Sequence, residues 1–275
     1  MPDPVMTHPA RLLEPLETPW LAPFLPWARA LSWPVERSID LDRACELATA
    51  RDCRSGAGHA LRFVDAHRLD GGGPGYERRI FDSGQVVTRT QGAGASHDFA
   101  NALAWLAFPR LKARLNALHV EAEREAGREA GPEAEAPGRR GRLRDRATLF
   151  DESGALVLTQ DRMLAASMRS FSWHELFVGH RTAWPARIRV VIAGHALLEK
   201  LRAPYKSICA QGWVLEAPPS LSQDELDHLA ARSLTAESLA SLTPVPLMGI
   251  PGWSDANQDP AFYNDPQVFR SGRRQ

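Results

Sequence analysis

HDFANALAWLAFPRLKARLNALH, residues His97 to His119, is the stretch whose reading decides the fold. Phe99, Leu103 and Leu106 recur at helical spacing, and after Pro109 so do Leu111, Leu115 and Leu118, so the segment predicts two helices, each with one apolar stripe for a core. Pro109 divides them, because at the first position of a helix its missing N–H is not needed, whereas inside one it kinks the axis. Ser96 is the expected N-cap, and Asp98 falls in the first turn, where the helix dipole favours an anion. A second set of side chains follows the same period. His97 and Asn101 share one face, and Lys112, Asn116 and His119 share another, at a spacing that lets side chains converge on one ligand. The competing account is an ordinary solvated face, although two asparagines inside so strong a helical pattern point to hydrogen-bonding duties.

Working outward, YERRIF, DSGQ and VVTRT (residues 76–90) predict a β-hairpin turning at Asp82, Ser83 and Gly84. RATLF, DESG and ALVLT (146–159) echo it, as an internal repeat or as a second solution to the same turn. Between them, residues 125–140 are Ala, Glu, Arg, Gly and Pro with nothing to bury, which predicts a mobile insertion. GGGPG at 71–75 has glycines enough for a phosphate loop but lacks the Lys-Ser/Thr ending, and with no clear helix after it we read a flexible turn.

Asp40 or Asp42 can open a helix through Ala50, and His59 to Val64 can form a strand. RIRVVIAG, then HALLEKL from His195, then a strand around 207–216 resembles a βαβ unit. Ser222 and Glu225 have capping-box spacing. Residues 1–37, with Trp20, Phe24, Trp27 and Trp33 among prolines, predict short helical turns on a core. The tail, 244–275, has too much Pro and Gly for regular structure, yet its aromatics predict an extended segment packed on the body. The expected class is α+β: a mostly helical single domain, 1–275, with a small hairpin-built sheet.

The chain has 275 residues, 44% of them hydrophobic, enough for a real core. Lys plus Arg and Asp plus Glu both number 33, so no overall field draws nucleic acid or anionic lipid. The opening residues carry Asp and prolines where a signal peptide needs a basic start and an apolar core, which predicts a cytoplasmic protein with no membrane partner. Cys45, Cys53 and Cys209 lack zinc-knuckle spacing and are expected to be buried thiols.

The chain resembles a bacterial family catalogued only as a domain of unknown function, the one numbered 3025. The resemblance rests on YE-RI---G at Tyr76 to Gly84, Thr88-Arg89, the stretch from His97 to His119, and LRD--TLFDE-G at Leu143 to Gly154. WHELF at Trp173 to Phe177, GHALLEKL--PYK at Gly194 to Lys206, and GIPGW, FYND and VFR in the tail complete it. Where the family pattern has Pro before the Thr-Arg pair, this chain has Val87, and QGAGAS leads to His97. The resemblance implies no reaction.

The chemistry therefore has to come from residue types. His97, His119, His195 and Glu199 are candidate ligands for a divalent metal, and His195 with Glu199 has one-face helical spacing. WHELFVGH is not a zincin motif, because His180 follows His174 by six residues. Acid–base chemistry without metal is the other route, with His97, Asp98 and His195 catalytic, Asp98 or Asp145 orienting His97, and Lys112, Asn116, Lys200 and Lys206 binding an anionic substrate. Taken singly, each histidine fits a hydrogen-bonded structural role better than ligation, in the absence of a complete motif. The expected function is a cytoplasmic metal-assisted or acid–base hydrolase of a small anionic substrate, with a non-catalytic binding or scaffold protein as the rival.

Overall fold

The computed structural model describes residues 18–32, 39–69, 73–129 and 140–270. Outside them lie Trp33, Pro34, Gly71, Gly72 and 130–139, the larger part of the segment expected to be mobile. In chain order the helices and strands are α1 (Leu25–Ala30), α2 (Leu41–Ala50), β1 (Arg62–Asp65), α3 (Tyr76–Ser83), β2 (Gln85–Thr88), α4 (Ala95–Ala107), α5 (Pro109–Glu129), α6 (Arg140–Ser153), β3 (Gly154–Thr159), α7 (Arg162–Arg169), β4 (Ile188–Ile192), α8 (His195–Lys200), β5 (Cys209–Glu216), α9 (Gln223–Ser233), α10 (Ala236–Ala240) and β6 (Thr243–Pro246). The class is α+β, with helices around a two-stranded and a four-stranded sheet.

The predicted break at Pro109 is present. Phe108 leaves helical geometry between α4 and α5, and Pro109 opens α5. Asp227 of α9, fully buried, accepts from the free backbone N–H groups of Arg110 and Leu111 at 3.0 and 2.9 Å, so a distant residue supplies the cap. One apolar stripe understates α4. Every residue from Phe99 to Ala107 is buried, Asn101 included, and the small alanines let α8, α5, α2 and α1 close around it. The N-cap is Gly94 rather than Ser96, and the Asp98 carboxylate instead accepts from the backbone and guanidinium of Arg89 at 2.6 to 2.9 Å.

Both expected hairpins are helix-to-strand joints. Tyr76–Ser83 is helical, beginning at Gly75 right after the glycine-rich segment, and it ends at Gly84 with φ +70°. That left-handed position terminates a helix as readily as it turns a hairpin, so the glycine alone could not decide. β2 then pairs in parallel with β1. In the second joint Ala147 and Phe150 are buried at helical spacing with Leu143 half-buried, while Leu149 points out, and the strand begins only at Gly154. Alternation in RATLF was the weaker of its two periodicities.

The larger sheet runs β4-β3-β5-β6. β3, buried along its length, pairs antiparallel with β4 and parallel with β5. β4 and β5 thus flank β3 and are not the neighbouring parallel strands of the expected βαβ unit. β6 opens the tail as an edge strand against β5, an edge being where Pro244 and Pro246 are tolerated. Beyond it Trp253, Tyr263 and Phe269 are buried, and Phe177 stacks on Tyr263 at 5.7 Å. The Asp40 cap of α2 and the Ser222–Glu225 capping box are in place. Cys53 is buried, but Cys45 is only partly so and Cys209 is exposed. Among the described residues, no helix is long and apolar enough to cross a membrane.

Candidate functional site

Two glycines set up the site. The carbonyl of Gly154 accepts from the backbone N–H groups of Ala193 and Gly194 at 3.0 and 2.8 Å. A Cβ on Gly194 would lie 2.4 Å from Gly154 N and 2.6 Å from Glu152 O, so only glycine permits this approach. The C-terminal turn of α6 is thereby held against the first turn of α8. Asp151 and Glu152 meet His195 there, and His97, from the first turn of α4, completes the group.

His195 is buried, and its Nδ1 lies 2.8 Å from the backbone carbonyl of Asp151. A carbonyl can only accept, so Nδ1 carries the proton and, in the neutral ring, Nε2 presents a lone pair. The ring is kept neutral: burial pushes its pKa down to about 4, Lys112 and His97 adding to the effect and Asp151 opposing it. His195 Nε2 lies 3.1 Å from His97 Nε2, and Glu152 Oε1 is 3.6 Å from the former and 3.9 Å from the latter. On its other side, His97 Nδ1 faces Glu199 Oε2 at 3.8 Å. Burial raises the pKa of Glu152, with the charge of Asp151 adding to it and His97 opposing.

Behind this trio is a buried ion pair. Lys112 Nζ donates to Asp151 Oδ1 at 2.6 Å and to Asn101 Oδ1 at 2.9 Å, and stands 5.3 Å from the Trp105 ring centroid. Burial works against a charged Asp151, but Lys112 and His195 outweigh it and hold the carboxyl below its usual range. In front lies a cavity of about 520 Å³, walled by α3, α4, α5 and α6 and reached by His97, His119, His195, Asp151 and Glu152. Five carboxylates and three arginines line it, an excess of negative charge when the histidines are neutral.

The structure thus brings His97 and His195 together and sorts the remaining expected residues. His119 reaches the cavity but stands outside the close group of His97, Glu152 and His195. Glu199 faces His97 Nδ1 at 3.8 Å, beyond hydrogen-bond length, and does not join the Nε2 atoms. Asp98 is engaged by Arg89, and Asp145 is exposed away from the cavity, so neither orients His97. The cations expected to hold an anion are not free in the cavity: Lys112 is buried against Asp151, Lys200 is exposed outside the lining, and Lys206 pairs with Asp265 of the tail at 3.0 Å. Asn116 instead brackets α5 to α3, donating to the backbone and carboxylate of Glu77, each at 2.8 Å. Asp151, Glu152 and Tyr76 were missed as site residues. The signal for the first two was in TLFDE, where a helical reading puts Asp151 and Glu152 two turns beyond Arg144 and one beyond Thr148, all four facing the cavity.

Residues 61–273 match the model of a family described as protein of unknown function DUF3025. No curated protein and no solved structure matches the chain significantly.

Proposed function

We propose that this chain, which belongs to the DUF3025 family, is a cytoplasmic metal-assisted hydrolase that binds one divalent cation through His97, Glu152 and His195 and acts on a small anionic substrate in the adjoining cavity. One observation carries the reading. With separations of 3.1, 3.6 and 3.9 Å, the point equidistant from the three donor atoms lies about 2.1 Å from each, which is the bond length of a first-row ion to imidazole nitrogen and carboxylate oxygen. Support comes from the outer groups as well. The Asp151 carbonyl fixes the His195 tautomer that leaves Nε2 free, and the Glu199 carboxylate lies on the Nδ1 side of His97, at 3.8 Å, where its charge favours the tautomer with the proton on Nδ1 and Nε2 free to ligate. A dication also offsets the excess of carboxylates in the lining, so the cation rather than a lysine supplies the charge an anionic substrate needs.

Held by His97, Glu152 and His195 beside the cavity, a divalent cation would supply an activated water as nucleophile and electrophilic help to a substrate oxygen. Acid–base chemistry without metal is the weaker account, because burial makes His195 too weak a base to take a proton near neutral pH and Asp98 is committed to Arg89. Three free thiols suit a reducing compartment.

The test is metal analysis of tag-free protein, followed by zinc titration of the native chain and of His97→Ala, Glu152→Ala and His195→Ala. One equivalent of metal is expected in the native protein, with affinity reduced at least about 10-fold in each variant. Iron in place of zinc would move the reaction class to oxygen chemistry, which the same donor set serves. Absence of any metal binding would leave the non-catalytic binding protein as the better account.

A further inference from the structure

The hydrogen-bond chain behind the trio ends in an unspent donor. Lys112 is an ammonium that can only donate, so the atom of Asn101 that faces it is the carbonyl Oδ1. The amide nitrogen is thereby turned toward Tyr76 and donates to the phenol oxygen at 2.7 Å. In this bond the phenol accepts, and its own proton points elsewhere. Among the described residues nothing accepts that proton.

Tyr76 lines the same cavity as His97, Glu152 and His195. It is held there by the Asn116 bracket, which bonds Glu77 on one side and the backbone N–H of Gly56 at 3.0 Å on the other. Tyr76 as a whole is 42% exposed. Desolvation around the hydroxyl, with the charges of Glu77 and Asp151, pushes the phenol well above its usual pKa, so it remains a donor at neutral pH. The order Asp151, Lys112, Asn101, Tyr76 also polarises the phenol in the donating direction.

Resting on the metal-assisted reading above, we propose that Tyr76 is the oxyanion-binding residue of this site: the substrate carries a phosphate or carboxylate group that places one oxygen on the cation and accepts the Tyr76 hydroxyl proton on another. Because the lining carries excess negative charge, the anion binds after the cation and not before it.

The experiment uses the full chain loaded with cobalt(II), whose visible spectrum reports a new oxygen ligand, and titrates it with inorganic phosphate and, separately, with acetate. We expect at least one anion to shift the cobalt bands, the metal-free chain to bind neither, and Tyr76→Phe to weaken the anion about 10- to 100-fold, the range for a hydrogen bond to a charged group, at unchanged cobalt stoichiometry. The anion that binds more tightly identifies the group. Equal anion affinity in the native chain and Tyr76→Phe overturns the proposal, as does cobalt binding with no response to either anion, and the metal reading survives both. Failure to bind cobalt overturns the metal reading and the proposal with it. Should Tyr76→Phe not fold, the native chain still decides: anion binding should produce a tyrosine ultraviolet difference band, and its absence overturns the assignment.

Discussion

The two helix-to-strand joints, Phe81-Asp82-Ser83-Gly84 and Phe150-Asp151-Glu152-Ser153-Gly154, have almost the same sequence and both lead a helix into a strand, Gly84 alone by a left-handed turn, yet only the second supplies carboxylates to the site. Asp82 lies on the surface and pairs with Arg78 one turn earlier at 2.7 Å. Asp151 is buried and pairs with Lys112, thirty-nine positions away in sequence. Local chemistry builds the joint, and the neighbour decides what the joint does. Around Gly84 that neighbour is the backbone of Ala60, whereas around Gly154 it is the start of α8.

The largest expected effect tests the buried side of this contrast. Asp151→Ala leaves Lys112 charged and without its carboxylate, and breaking one half of a buried pair costs about 3 to 5 kcal/mol. The thermal midpoint should fall by roughly 6 °C or more for a domain of this size. A fall of only a degree or two would show that Lys112 reaches water once freed, and that the pair is not buried in the energetic sense.

Next in size is pH. His195 has its folded pKa at about 4, below the ordinary value near 6.5, so between those limits the unfolded chain binds more protons than the folded one. Stability from this group is fully present above about pH 6.5 and is lost as pH falls toward 4, by about 3 kcal/mol in total for the metal-free protein. Asp151, also lowered, acts in the same direction at still lower pH. Urea denaturation across this range should show the slope in the native chain and a shallower one in His195→Gln; identical slopes would mean that another group carries it.

The same contrast explains what could be read from the sequence. The break at Pro109, the Asp40 cap and the Ser222–Glu225 box depend on residues within one turn, and they were legible. The histidine pair was legible in part, since His97 and His195 each fall at a helix start. The carboxylates between them were not, because the Gly154–Gly194 approach that delivers them joins segments forty positions apart and leaves no periodic trace. Lys112 could be seen as polar on an apolar helix but not as buried, as its partners lie on α4 and α6.

A smaller effect separates stability from site at the two joints. Gly84→Ala sets a side chain at φ +70° with its Cβ 2.2 Å from Ala60 O, and Gly194→Ala sets one 2.4 Å from Gly154 N, so each should cost on the order of 2 kcal/mol. Only Gly194→Ala should also move His195 away from Glu152 and weaken zinc by about 10-fold or more. Equal zinc affinity in the two variants would show that the close approach of α8 to α6 does not set the donor geometry.

The smallest effect belongs to the exposed joint. Arg78 and Asp82 are neighbours at i, i+4 on one helix face, with side chains 33% and 47% exposed, and such pairs trade a screened attraction for the entropy of two ordered side chains. Asp82→Ala should therefore move the thermal midpoint by less than about 1 °C, and high salt should erase even that. The partner residues make the difference: Arg78 without Asp82 turns to water, while Lys112 without Asp151 has no water to turn to. If Asp82→Ala destabilised the chain as much as Asp151→Ala, burial would not be what distinguishes the joints, and the resemblance of their sequences would reflect a shared structural duty of the aspartate rather than a reuse of the turn.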